Sequence, residues 1–171
     1  LKDKELIDLG NGRKLKAIYG PGHAKHHYTF YDEFSKTLFI GDTLGLIYPH
    51  GDFVQPNLPP PDFNKEVLFN TLDELYKLDL KYLALAHFGI HDNPYKLIEK
   101  AKENIEKWIN FINNLNDISD ESALQSMRSW VRGNYEFLNI EEATINNYIN
   151  NANFDMQIKG IKNYILNKKN P

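Results

Sequence analysis

Apolar residues fall in short strand-like runs over the first half of the chain and at helical spacing over the second. Residues 5–9 and 14–19 flank Gly10-Asn11-Gly12. Asn-Gly tolerates positive φ, so a tight hairpin is expected there. Pro21 and Gly22 stop the second run and turn the chain sharply. Residues 27–32, aromatic at Tyr28, Phe30 and Tyr31, read as a third strand. A turn at 33–36 leads into residues 37–41, whose Thr-Leu-Phe-Ile run predicts a strand buried on both faces. Residues 43–63 carry Gly45, Pro49, Gly51, Pro56 and Pro59-Pro60-Pro61 and predict a long irregular segment. Segments of that length in compact domains are often functional.

The period then lengthens. Val67 or Leu68, with Leu72, Leu75 and Leu78, lie at helical spacing behind Asp62 or Asn64, either of which can cap the helix. Residues 82–86, Tyr-Leu-Ala-Leu-Ala, predict another buried strand, followed at once by His87. Asn93 and Pro94 open a helix whose stripe is Leu97, Ala101, Ile105, Trp108, Ile112 and Leu115. From residue 117 onward only short helical patterns remain. They cover about 120–132, closed by Gly133; 139–151, with Asn139 and Glu142 spaced as a capping box; and 154–168. The pattern is an α/β (α+β) unit over residues 1–116 with an α-helical extension over 117–171. No internal repeat appears.

Composition narrows the chemistry. Apolar residues make up 42% of the 171, enough to bury a core. A net charge of −3 argues against nucleic acid or an anionic membrane surface as partner. There is no cysteine, so disulfides, thiolate metal sites and cysteine nucleophiles are excluded, and any metal must sit on His, Asp or Glu. No apolar run approaches the ~20 residues of a membrane helix. No signal peptide is visible, so a cytoplasmic location is expected, although the chain starts without Met.

The residues with metal chemistry cluster. Gly20-Pro21-Gly22-His23-Ala24-Lys25-His26-His27 puts three histidines in one turn, and the strand after it ends on Gly41-Asp42-Thr43. Imidazole nitrogen and carboxylate oxygen on stiff elements are what a zinc site needs. His50 and His91 are read as loop residues, with surface positions weighed against bordering the pocket. Tyr48 and Phe53 either line a pocket or cover the core. Thr43 is expected to hydrogen-bond the loop, and Gly41 to let the backbone pass a metal closely.

Together with Ala84-Leu85-Ala86-His87-Phe88-Gly89, these segments resemble the downstream half of the metallo-β-lactamase fold superfamily, with a flavour closest to the glyoxalase II-like hydrolases. The resemblance implies the C-terminal half of an αββα sandwich. It implies His27 and His87 as ligands, one on each of two metals, with Asp42 as the shared ligand and the residue most critical for catalysis. His23 then supports the neighbouring ligand from a second layer. His26 stands where the family has Gly and is either pocket-lining or solvent-facing. The upstream His-x-His-x-Asp-His motif is absent from these residues.

The implied cofactor is two zinc ions, with iron as the alternative. The implied reaction is hydrolysis of a small ester, thioester, lactone or phosphoester by metal-activated hydroxide. An iron-dependent oxidoreductase, of persulfide dioxygenase or flavodiiron type, and a metal-free structural or interaction fragment are the competing readings. The implied partner is the N-terminal half of the fold, in the same or a separate chain. The tail, with Arg128, Trp130 and Tyr135, serves either a substrate site or packing and a homodimer surface.

Overall fold

The computed structural model describes residues 1–49, 53–115, 119–136 and 140–169. His50, Asp52 and Asn139, and the side chain of Tyr135, lie outside the described residues. One sheet carries β1 (Leu6–Asp8), β2 (Lys14–Tyr19), β3 (Tyr28–Asp32), β4 (Thr37–Gly41), β5 (Tyr82–Leu85) and β6 (Ile90–His91), hydrogen-bonded in that order. All neighbours are antiparallel except β4 and β5. Parallel neighbours need a crossover, which α1 (Lys65–Tyr76) supplies. Then come α2 (Pro94–Asn114), α3 (Asp120–Glu136), α4 (Glu142–Asn151) and α5 (Phe154–Lys169). Among the described residues no helix is long and apolar enough to cross a membrane.

Local chemistry accounts for most boundaries. The first hairpin closes over Leu9–Arg13 with Gly10, Asn11 and Gly12 all at positive φ. The Asn64 side chain accepts from the Val67 amide at 3.0 Å and caps α1, whereas Asp62 turns away to pair with Lys25. Three elements differ from the expectation. Helix α3 runs through Gly133 to Glu136. A glycine inside a helix costs only about 1 kcal/mol, and the buried Met127 and Val131 hold the helix against that cost. The side-chain cap expected of Asn93 at the start of α2 is not made. Strand β4 is not buried on both faces, because Phe39 is 42% exposed.

Phe39 belongs to a row that crosses the sheet. The registers align Ala17, Phe30, Phe39, Ala84 and Ile90 on one face. Every member is apolar, yet Ile90 is 65% exposed. The opposite face carries Tyr31, Leu38 and Leu83, all buried. Those side chains merge with Leu68, Leu72, Ile98 and Ile105 of α1 and α2 in one core. That core continues without a break into the tail, through Trp108 against Phe154 and through Ile145, Ile158 and Ile161. The described residues of the 43–63 segment are not a free loop either: Leu44, Ile47, Val54 and Leu58 are buried in the same core, and a bridge pairs Leu46 with Gln55.

Candidate functional site

β3 runs antiparallel to β4 and β5 parallel to it, so the start of β3 and the ends of β4 and β5 meet at one edge of the sheet. That edge carries His27, Asp42 and His87. The turn before β3 is pressed onto α1. Asn64 N–H donates to the Gly22 carbonyl and Thr71 Oγ1 to the Pro21 carbonyl. A Cβ at Gly22, where φ is 120°, would lie 2.4 Å from Leu68 Cα, so only glycine lets the turn sit this deep.

The His27 ring fills the space above Gly41, whose φ is 61°. A Cβ there would fall 2.6 Å from His27 Nε2. The close approach at Gly41 is therefore made by an imidazole. His27 Nδ1 is 3.0 Å from Oγ1 of buried Thr43, so Thr43 is a partner of the histidine. Burial lowers the His27 pKa, His23 lowers it further, and Asp42 opposes both. The ring is then neutral near pH 7, as a ligand nitrogen must be. His23 is buried, sits edge-on to His27 with centroids 5.7 Å apart, and holds the Asn57 carbonyl through Nδ1 at 2.9 Å. His26 is exposed in the same turn.

Asp42 Oδ1 is buried without a hydrogen-bond partner and lies 3.6 Å from His87 Nε2. His87 is more than half exposed and follows β5 in a turn where Phe88 and Gly89 take positive φ. Phe88 packs on Tyr48 at 5.0 Å, and Tyr48 stacks on Tyr148 of α4 at 4.2 Å. Buried Tyr48 is thus an aromatic strut under the His87 turn, and the tail reaches it. His91 is a strand residue of β6 rather than a loop residue, and its Nε2 is buried without a partner. Phe53 is partly buried against the core. Trp130 stacks flat on Phe111 at 4.5 Å, a packing contact, and Arg128 is exposed. Among the described residues no three His, Asp or Glu side chains form a metal-ligating group. Sequence reasoning missed the Thr43–His27 bond and Tyr148, because each joins residues that only the tertiary fold brings together.

A mixed sheet with helices packed on one face thus brings His27, Asp42 and His87 to one end of neighbouring strands. The sequence profile of the Metallo-beta-lactamase superfamily matches residues 1–87, half of the chain, and the chain belongs to that superfamily. A curated relative, the metallo-beta-lactamase fold-containing protein ST1585 of Sulfurisphaera tokodaii, is 32% identical over 108 residues, covering 63% of this chain and 38% of the relative. The crystal structure of ST1585 from Sulfolobus tokodaii, an archaeal metallo-beta-lactamase superfamily protein, superposes with a TM-score of 0.60 at 22% identity. That superposition covers 95% of this chain and 50% of the other, so tail helices have counterparts there. The metallo-beta-lactamase family protein TTHA1429 of Thermus thermophilus gives a TM-score of 0.57 at 25% identity, over 69% of this chain and 38% of its own. The chain therefore spans 38% to 50% of the length of these relatives.

Proposed function

We propose that this chain supplies one half of a metal-dependent hydrolase site acting on a small ester, thioester, lactone or phosphoester. The observation that carries this reading is Asp42 Oδ1, a buried carboxylate oxygen without a hydrogen-bond partner, facing His87 Nε2 at 3.6 Å. An orphaned buried carboxylate oxygen is costly unless something cationic occupies its front. Imidazole and carboxylate donors suit zinc first and iron second. His27, Asp42 and His87 would supply part of a ligand set that the other half of the fold completes, and the bound metal would supply a water activated for hydrolysis near neutral pH.

The chain's own residues prepare that site. The His27 tautomer that donates Nδ1–H to Thr43 Oγ1 leaves the Nε2 lone pair for the metal. Burial keeps that ring neutral. Half-exposed Phe88, next to His87, is anchored on buried Tyr48.

The partner in this reading is the N-terminal half of the fold. The row Ala17, Phe30, Phe39, Ala84 and Ile90 is an apolar sheet face on which Phe39 and Ile90 stay exposed while the small Ala17 and Ala84 are buried, and it fits a second sheet packed about 10 Å away. The helical extension proposed for 117–171 would brace the site from the other side through Tyr148 of α4, stacked on Tyr48.

Asp42→Ala, in the chain joined to its upstream half, should abolish hydrolysis of thioester and phosphoester probes and strip the metal. Full activity with metal retained would refute the assignment. Elemental analysis of protein purified without added metal separates zinc from iron.

A further inference from the structure

Helix α5 carries a buried glutamine whose two amide ends are both committed to the 43–63 segment. Gln157 is 2% exposed. Its Oε1 accepts from the Leu58 amide at 2.5 Å, and its Nε2 donates to Asn57 Oδ1 at 3.2 Å. A backbone N–H can only donate, so the amide oxygen must face Leu58 and the NH2 must face Asn57, which leaves one orientation for the group. One helical turn on, Gly160 brings the α5 backbone against the same residue: a Cβ there would sit 1.8 Å from the Leu58 carbonyl oxygen. Two consecutive residues, Asn57 and Leu58, are therefore pinned at three points by one helix turn.

The pinned peptide holds the histidine turn. The Asn57 carbonyl faces His23 Nδ1 at 2.9 Å. A carbonyl oxygen only accepts, so His23 Nδ1 carries the proton. His23 in turn presents its ring edge-on to His27. We infer that Gln157, far along the chain from the histidine turn, is a positioning residue for the His23–His27 pair, acting through Asn57. This inference rests on His27 being the metal ligand proposed above only for its consequence in affinity. The orientation of the two rings stands on the hydrogen bonds themselves.

The test uses the 171-residue chain and two variants. Gln157→Met keeps the length and removes both hydrogen bonds. Asn57→Ala, at a half-buried position, removes only the Gln157 link and keeps the carbonyl and the Leu58 bond. Long-range nitrogen–proton NMR spectra read the tautomer of each histidine. Wild type should show His23 in the Nδ1–H form. Both variants, folded by circular dichroism, should show a mixture at His23 and shifted ring signals at His27. Unchanged His23 and His27 signals in folded Gln157→Met overturn the inference. Should Gln157→Met fail to fold, Asn57→Ala decides by the same criterion.

Zinc titration by calorimetry supplies the second readout. Affinity should fall by about tenfold in the variants, the usual size of an effect transmitted through a ligand's hydrogen-bond partners. Equal zinc affinity in variants with disturbed tautomers overturns the link to His27. Absence of zinc binding in wild type as well, with the tautomers still disturbed, upholds the positioning and counts against the metal reading instead.

Discussion

Replacing Gly160 by alanine sets two opposing effects against each other at one atom. Alanine is the better helix former by about 1 kcal/mol, so an exposed helical glycine gains from the change. At Gly160 the new methyl would meet the Leu58 carbonyl oxygen at 1.8 Å and the Leu58 carbonyl carbon at 2.9 Å. Ordinary contact begins at 3.4 Å, so helix and segment must separate along backbone that cannot rotate away. The Gln157–Leu58 bond at 2.5 Å opens with them and leaves a buried N–H unsatisfied. Overpacking costs typically ~1–3 kcal/mol and the orphaned amide a further ~1–3, so after the helix-propensity gain the net loss is about 1–5 kcal/mol. Urea unfolding followed by circular dichroism should show a lower midpoint at unchanged slope. A midpoint equal to wild type, or higher by the helix-propensity gain, would mean that α5 does not pack on Leu58 and that the tail is not part of the core.

Gly133→Ala is the paired control: nothing lies within 4 Å of a Cβ there, so the same substitution in α3 should stabilise by up to ~1 kcal/mol in the same assay. Asp32 is fully buried, and its carboxyl is held below the ordinary range chiefly by the hydrogen bonds from Arg13. A depressed folded pKa contributes stability that is present above the unfolded value of ~3.9 and lost as pH falls through the folded one. Wild type should therefore melt above Asp32→Asn at pH 7, and the gap should shrink on acidification below about pH 4; a gap independent of pH would refute the pairing. Tyr148→Phe keeps the stack on Tyr48 but loses the 2.7 Å bond to the Pro49 carbonyl, and thermal unfolding should register about 1 kcal/mol. Phe39→Ser with Ile90→Ser should reduce concentration-dependent self-association of this chain, read by light scattering, with helix content unchanged, because both apolar side chains are exposed on one sheet face.

Strands β2 to β4 were legible in the sequence because turn chemistry bounds them: Asn-Gly before β2, Pro-Gly after it and a polar turn before β4. Their order alone places His27 and Asp42 at one sheet edge, and α1 with β5 adds His87. Strand β6 was not legible, since two residues carry no period and its existence depends on pairing with β5. Helix α3 hid its true end because tertiary packing outweighs the small cost of Gly133. Phe39 exposes the limit of reading burial from composition. An apolar run says that both faces avoid water in the finished protein, not that this chain covers both. The hydrogen bonds of Thr43 and Gln157 left no local signal, because their partners lie 16 and about 100 residues away.

The pairing of Asp42 with His87 at a metal is tested most directly by calorimetric zinc titration of this chain beside Asp42→Ala and His87→Ala. The expected result is weak binding by wild type, with a dissociation constant above the micromolar range, reduced at least about tenfold by either substitution. Binding that both variants leave untouched would contradict Asp42 and His87 as ligands, and sub-micromolar binding by wild type would contradict a site that needs its other half.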